Sequence, residues 1–305
     1  MKKVMITGSS GFTGHYLSLE LLRAGMNVIG LCQRLPLHPI PGMNYFSCDL
    51  LNQAELSNII KEIEPTVVVH LAAISFIGQD NAETMYRTNI IGTRNLLKAL
   101  TQLSKPPEQI FLASSGNIYG NTEREFIDET APAAPINDYS VSKLSMEQMA
   151  KLWMNELPIT ILRPFNYTGV AQSSLFLVPK VVTHFSQRAD FLELGNLDIV
   201  RDFSDVRDVV HAYRRLIEVG GTANEVVNIC TGQGYSLQQL LSMLSKLTGH
   251  TPEIGVNPRF VRSNEVKHLV GCKQKLEQII GFFPRFNLEE TLSWMLEANR
   301  FAPCK

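Results

Sequence analysis

A chain of 305 residues is long enough for one large domain or two modest ones with a well-filled core. An apolar content of 45%, a charged content of 19% and a net charge of −1 exclude general attraction to nucleic acid or to an anionic membrane. The five scattered cysteines (Cys32, Cys48, Cys230, Cys272, Cys304) form no CxxC pair and the seven histidines no HxxH or HxxxH pair, so neither a disulfide framework nor a metal is expected.

Met1-Lys2-Lys3 runs straight into a short apolar strand, too short for a signal peptide. No apolar run reaches membrane-spanning length. The expectation is a cytoplasmic protein with reduced thiols.

Val4-Met5-Ile6-Thr7 reads as a buried strand, and the amphipathic run His15 to Ala24 as a helix. Between them, Gly8, Gly11 and Gly14 stand at G-x-x-G-x-x-G spacing, with Phe12 and Thr13 inside the turn. Strand, glycine-rich turn and helix is the dinucleotide-binding arrangement, in which backbone N–H groups approach a pyrophosphate at the positive helix end. Asn27 to Cys32 is the second strand. An acid at its end would meet a free ribose 2′-hydroxyl, but this chain offers Cys32-Gln33-Arg34. Arginine pairs with a 2′-phosphate, so NADP(H) is expected, with NAD(H) as the alternative.

Asn44 to Cys48 is a third strand, followed by Asp49-Leu50 and a helix over Gln53 to Ile63. Thr66 to Leu71 is a fourth strand; Ala72 and Ala73 after it are small enough to let backbone lie against a ligand. A long helix is expected over Ala82 to Leu103, and a fifth strand over Gln109 to Ala113, with Ser114-Ser115 at its carboxyl end. Ligands of open parallel sheets bind at that edge. A loop from Gly116 to Asp138 leads into a helix running to about Leu157, and Ile159 to Leu162 is a sixth strand.

On that helix Tyr139 and Lys143 are four apart and share a face. No other tyrosine has a lysine four residues on. A neighbouring ammonium lowers a phenol's pKa and equips it for proton transfer near neutral pH.

The β/α alternation gives an α/β fold, a doubly wound parallel (Rossmann) sheet with a smaller mixed α/β lobe. Beyond Arg163 the alternation loosens. Helices are expected at Asp205 to Glu218, Leu237 to Leu247 and Leu288 to Glu297, and a strand at Val226 to Cys230. Residues 1–165 with about 201–231 form the dinucleotide-binding domain; 166–200 with about 232–305 form the substrate lobe.

On these residues the chain resembles the extended short-chain dehydrogenase/reductase family over nearly its whole length. The family's TGxxGFxG turn matches Thr7 to Gly14, its D-L step Asp49-Leu50, and its L-A-A-x-S segment Leu71 to Ser75. N-x-x-G-T matches Asn89 to Thr93, S-S-x-x-x-Y-G matches Ser114 to Gly120, Y-x-x-x-K matches Tyr139 to Lys143, and R-P matches Arg163-Pro164. The second half is similar to the GDP-mannose branch, which holds GDP-mannose 4,6-dehydratase and GDP-6-deoxy-4-keto-mannose reductase. Its telling pieces are Arg163 to Gly169, Phe176 to Lys180, Gly195 to Asp198 with Arg201-Asp202-Phe203, and Arg262 to Val266. The last departs from the branch's R-P-x-[DE]-V at Ser263, and Cys272 stands where an aspartate is common.

The resemblance implies that Tyr139 is the proton donor or acceptor, with Lys143 its pKa partner and ribose contact. It implies that Ser115 is the third catalytic hydroxyl, with Ser114 its rival. It implies cofactor contacts at Gly8, Gly11, Phe12, Thr13, Gly14, Arg34, Asp49, Leu50, Leu71, Ala72 and Ala73. Substrate contacts are implied at Asn166, Lys180, Arg201, Arg262 and Glu265. Dehydratases of the family carry a glutamate where this chain has Asn117. A carboxamide is no base; the alternative is that another carboxylate, such as Glu123 or Asp128, substitutes. What remains is NADPH-dependent reduction of the C4 ketone of a GDP-linked deoxysugar, or 4-epimerisation of a nucleotide sugar. A non-catalytic NADP-binding regulator on the same fold is the third reading. The resemblance also implies a homodimer through the two long helices.

Overall fold

The computed structural model describes residues 2–75, 81–261 and 264–300. In chain order the first half runs β1 (Lys3–Thr7), α1 (Phe12–Arg23), β2 (Asn27–Cys32), β3 (Asn44–Ser47), α2 (Gln53–Ile63), β4 (Val67–His70), α3 (Ala82–Tyr86), α4 (Thr93–Leu100), β5 (Gln109–Ala113), α5 (Asp138–Lys151) and β6 (Ile159–Pro164). The second half runs β7 (Asn166–Thr168), α6 (Leu177–Ser186), β8 (Phe191–Leu194), β9 (Val200–Asp205), α7 (Val206–Val219), β10 (Val226–Ile229), β11 (Gly234–Ser236), α8 (Leu237–Thr248), β12 (Glu253–Val256), β13 (His268–Leu269), α9 (Gln274–Ile280) and α10 (Leu288–Arg300).

Seven strands pair in the order β10-β6-β5-β4-β1-β2-β3, all parallel. Such a sheet is covered on both faces, so its strands read as continuous apolar runs. Side chains alternate between the two coverings. Val67 and Val69 of β4 face the core shared with α1, α7 and α9, whereas Val68 faces the core shared with α2, α4 and α5. Strand order reverses between β1 and β4, the crevice where such sheets bind ligands.

The smaller lobe has its own core, with Val181, Phe185, Leu192, Leu240 and Leu292 all buried. Strands β11, β9 and β13, with β7 beside β9, form its main sheet; β12 and β8 form a second. Strand β9 therefore lies in the smaller lobe, while α9 lies against the larger sheet through Leu276 and Ile280. The two units exchange chain at these places as well as at 166.

Several elements differ from the sequence reading. Helix α1 starts at Phe12, three residues before His15, because the end of the glycine turn is itself its first turn. The long helix is interrupted by a π-helical turn at Arg87–Gly92 and ends at Leu100 rather than Leu103. Helix α5 ends at Lys151, before the expected Leu157, and turns continue to Pro158. Strand β6 extends through Arg163 and Pro164 because β10 pairs with it that far.

Candidate functional site

The carboxyl ends of β1 and β4 make a cradle. Gly8 has φ +71°, and a Cβ there would press on Ala72 backbone. A Cβ on Gly14 would run into the Gly8 carbonyl and Ser9 backbone. Only glycines let the turn, the helix and the Leu71-Ala72 backbone come this close. Gly11 caps α1 with no side-chain hydrogen bond, and the first turn has no acid. Its free N–H groups and positive end suit a pyrophosphate. The donor set fits a dinucleotide. Arg34 is exposed two residues beyond β2, and Asp49 is exposed beyond β3, where its Oδ1 accepts from the Leu51 N–H at 2.9 Å. Leu50 is buried against Gly92.

Helix α5 carries Tyr139 and Lys143 to the same edge. Its start is fixed by a capping box: Asn137 accepts from the Ser140 N–H, and Ser140 Oγ accepts from the Asn137 N–H. Lys143 is 3% exposed, donates to the Ala113 carbonyl at 2.8 Å, and has its Nζ 6.0 Å from the Tyr139 ring centre. Burial lowers its pKa to about 8, opposed by the Glu147 carboxylate. Tyr139 departs from the sequence reading. Its phenol is raised, not lowered, because burial disfavours the phenolate; Tyr167 adds to this, and the Ser115 hydroxyl works the other way. Some accessible surface remains on Tyr139, yet the protein packs densely around it. Ser115 is 5% exposed and caps the short 3-10 turn Gly116–Tyr119, accepting from the Asn117 N–H at 3.1 Å. Ser114 Oγ is buried without a hydrogen bond among the described residues.

A layer of polar groups beneath was not assigned from sequence. His70 Nδ1 lies 2.7 Å from Thr7 Oγ1, and its Nε2 lies 2.8 Å from Thr93 Oγ1. Thr93 donates to the Asn89 carbonyl, so it accepts from His70 Nε2–H, and Thr7 donates to Nδ1. Burial, with Lys143 nearby, lowers His70 to about 3, so the ring is neutral. Asn89, in the π-helical turn, accepts from the Ile74 N–H and donates to the Ile74 carbonyl and to Ser142 Oγ. Ser142 in turn donates to the Tyr139 carbonyl. Asn89 thus ties the segment after β4 to the Tyr139 turn. Its N-x-x-G-T motif was the available signal, but it named no role.

Arg163 and Tyr119 serve the floor. Arg163 forms a bidentate pair with buried Glu147 at 2.9 and 2.6 Å and donates to Tyr119 Oη at 2.9 Å. Tyr119 donates to Asn228 Oδ1 at 2.8 Å.

On the lobe side, Arg201 is 7% exposed and pairs with Glu265 at 2.7 Å. These residues, read from sequence as separate ligand contacts, meet each other. Lys180 donates to the Glu193 carbonyl at 2.8 Å and lies 4.0 Å from the Phe260 ring centre. Asn166 Oδ1 is buried without a hydrogen bond among the described residues. Arg262 lies outside the described residues. Tyr167, unassigned from sequence, has its hydroxyl 2.7 Å from Thr13 Oγ1.

The family model for GDP-mannose 4,6 dehydratase matches residues 5–295. A curated relative, GDP-6-deoxy-D-talose 4-dehydrogenase of Aggregatibacter actinomycetemcomitans, is 35% identical over 98% of each chain. GDP-6-deoxy-D-mannose reductase of Pseudomonas aeruginosa is 30% identical, over 97% of this chain and 96% of that one. Among solved structures, a Burkholderia cenocepacia J2315 protein provisionally called an epimerase is 46% identical, with TM-score 0.90 and 99% of both chains covered. RMD from Pseudomonas aeruginosa complexed with NADPH is 27% identical, with TM-score 0.85 over 98% and 99%. MoeE5 in complex with UDP-glucuronic acid and NAD is 28% identical, with TM-score 0.88 over 98% and 99%. No described helix is long and apolar enough to cross a membrane.

Proposed function

We propose a function from one premise: the chain belongs to the GDP-mannose 4,6 dehydratase family. It is an NADPH-dependent reductase of the C4 ketone of GDP-4-dehydro-6-deoxy-D-mannose, yielding GDP-D-rhamnose or GDP-6-deoxy-D-talose. The names of the two curated relatives support a GDP sugar acted on at C4. Neighbours that hold NAD or NADPH support a nicotinamide cofactor, and exposed Arg34 favours the phosphorylated one. The observation that carries the reading is the pairing of Tyr139, Lys143 and Ser115 with Asn117 in the adjoining turn. A proton donor is at hand, and the turn supplies no carboxylate to take a second proton from the sugar.

The nicotinamide, when bound, supplies a hydride. Burial keeps Tyr139 protonated through neutral pH, so it donates to the oxygen at C4. Ser115 donates to the same oxygen and stabilises its developing charge. Lys143 is cationic below about pH 8, favours the phenolate that Tyr139 leaves behind, and holds the nicotinamide ribose. Gly8, Gly11, Phe12, Thr13 and Gly14 take the pyrophosphate, with Asp49, Leu50, Leu71, Ala72 and Ala73 lining the rest of the cradle. Asn166, Lys180, Arg201, Arg262 and Glu265 receive the sugar nucleotide. The enzyme works in the cytoplasm as a homodimer; Ile91, 44% exposed on the long helix, supports that pairing face.

The test is incubation with GDP-4-keto-6-deoxymannose, or its CDP- and dTDP-linked analogues, and NADPH or NADH. Loss of the GDP sugar with equimolar NADPH oxidation is expected. Depletion of a dTDP sugar alone would refute the reading. The likeness to a protein provisionally called an epimerase favours 4-epimerisation as the second reading. Conversion of a nucleotide sugar to its C4 epimer with no added reductant would establish it.

A further inference from the structure

Helix α1 opens with two residues that both touch the second lobe. The Phe12 ring stacks on Tyr167 at 6.2 Å and 12°. Thr13 Oγ1 and Tyr167 Oη are 2.7 Å apart, close enough for a hydrogen bond in either direction. One turn on, Tyr16 donates to the Val170 carbonyl at 2.9 Å and meets Trp294 of α10 edge-on. The helix whose positive end faces the cradle is therefore bonded to β7 and to the turn beyond it.

Thr13 is the second residue of α1, so its N–H has no intrahelical partner. An anion at the helix end accepts from that N–H and from the hydroxyl beside it. A threonine hydroxyl has one hydrogen and two lone pairs. Once its hydrogen is given to the anion, Tyr167 must be the donor in the Thr13–Tyr167 bond. The chain then runs in one direction, from Tyr167 to Thr13 to phosphate, and each bond strengthens the next.

We propose that Tyr167 is a positioning residue that couples filling of the dinucleotide cradle to order in the sugar-nucleotide lobe. A pyrophosphate at the α1 N-terminus fixes the direction of the Thr13–Tyr167 hydrogen bond and so tightens β7 and the turn through Val170. This rests on the reading of the cradle as a dinucleotide site.

Amide hydrogen exchange on the whole chain, with NADP+ and NAD+ as probes, tests it. In the unmodified protein either nucleotide should slow exchange at residues 8–14 and, about five-fold or more, at residues 166–172. Tyr167→Phe should keep the first effect and lose the second. Thr13→Val should lose the second as well, and serves if Tyr167→Phe fails to fold. Thr13→Ser, which keeps the hydroxyl, should retain both; a merely structural role would not track the hydroxyl in this way. Slowing at 166–172 that survives in Tyr167→Phe overturns the proposal. Its absence from the unmodified protein does so too. If neither nucleotide slows exchange at 8–14, the cradle reading fails and the coupling with it. The ketoreductase reading is judged separately, by turnover of the keto sugar with NADPH.

Discussion

The two sides of the cleft commit their polar groups differently. On the sheet side, Thr7, His70, Thr93, Asn89 and Ser142 are joined in hydrogen bonds that end at the Tyr139 backbone. Lys143 is fixed to Ala113, and Arg163 to Glu147. On the lobe side, Arg201 is held by Glu265 and Asp202 accepts from Thr231 and Gly232; Asn166 Oδ1 and Ser204 Oγ there, like Ser9 Oγ and Ser114 Oγ on the sheet side, are buried without a hydrogen bond among the described residues. The sheet side is preorganised, as proton transfer requires. The lobe side instead pairs charged groups, Arg201 with Glu265.

The largest effect expected is on the sheet side. Tyr139→Phe should lower kcat by about 10²–10⁴-fold while NADPH affinity, read by fluorescence titration, stays near that of the unmodified protein. An equal fall in cofactor affinity would show that the phenol is structural. Glu147→Ala leaves Arg163 buried without its carboxylate and should cost roughly 3–5 kcal/mol in denaturant unfolding. A loss below about 1 kcal/mol would show that the floor is looser than its hydrogen bonds imply.

On the lobe side, Arg201→Lys keeps the charge but loses the planar fork, and should raise KM by about ten-fold with kcat little changed. A fall in kcat alone would place Arg201 with the chemistry instead. Arg34→Ser should move the NADPH-over-NADH preference in kcat/KM by about ten-fold toward NADH.

The last effect is a slope with pH, absent at neutral pH. His70 titrates near 3 in the fold and near 6.5 when unfolded. Its folded pKa is depressed, so its contribution is fully present above pH 6.5 and is lost as pH falls toward 3. Between these values the unfolded state holds about one extra proton, worth about 1.4 kcal/mol per pH unit. His70→Gln should remove that one-proton dependence from the unfolding free energy measured against pH; an unchanged slope would mean that the ring is already charged in the fold.

Legibility in the sequence followed the distance over which each feature is made. Strand β5 and helix α2 were readable to the residue, because apolar period and flanking turn formers are local. The Tyr139–Lys143 spacing and the three glycines are likewise local. Helix ends were less readable: the Arg87–Gly92 π-helical turn interrupts an unbroken helical pattern, and it holds Asn89 against residue 74. The Tyr139 pKa was misjudged because a phenol's burial depends on everything packed around it, not on one lysine. Hardest to see were pairings across the chain. Arg201 and Glu265 are 64 residues apart, Asn89 and Ser142 are 53, and Thr13 and Tyr167 are 154. Thr13, Arg201 and Glu265 are expected from sequence as ligand contacts, but which residue each one meets is visible only in the fold.

The most direct measurement is single-turnover transfer from NADPH deuterated at nicotinamide C4 to GDP-4-keto-6-deoxymannose, read by NMR of the sugar. Deuterium at sugar C4 in one stereoisomer, with transfer slowed by about 10²–10⁴-fold in Tyr139→Phe, is the predicted result. Consumption of the ketone with no deuterium at C4, or undiminished transfer by Tyr139→Phe, would contradict it.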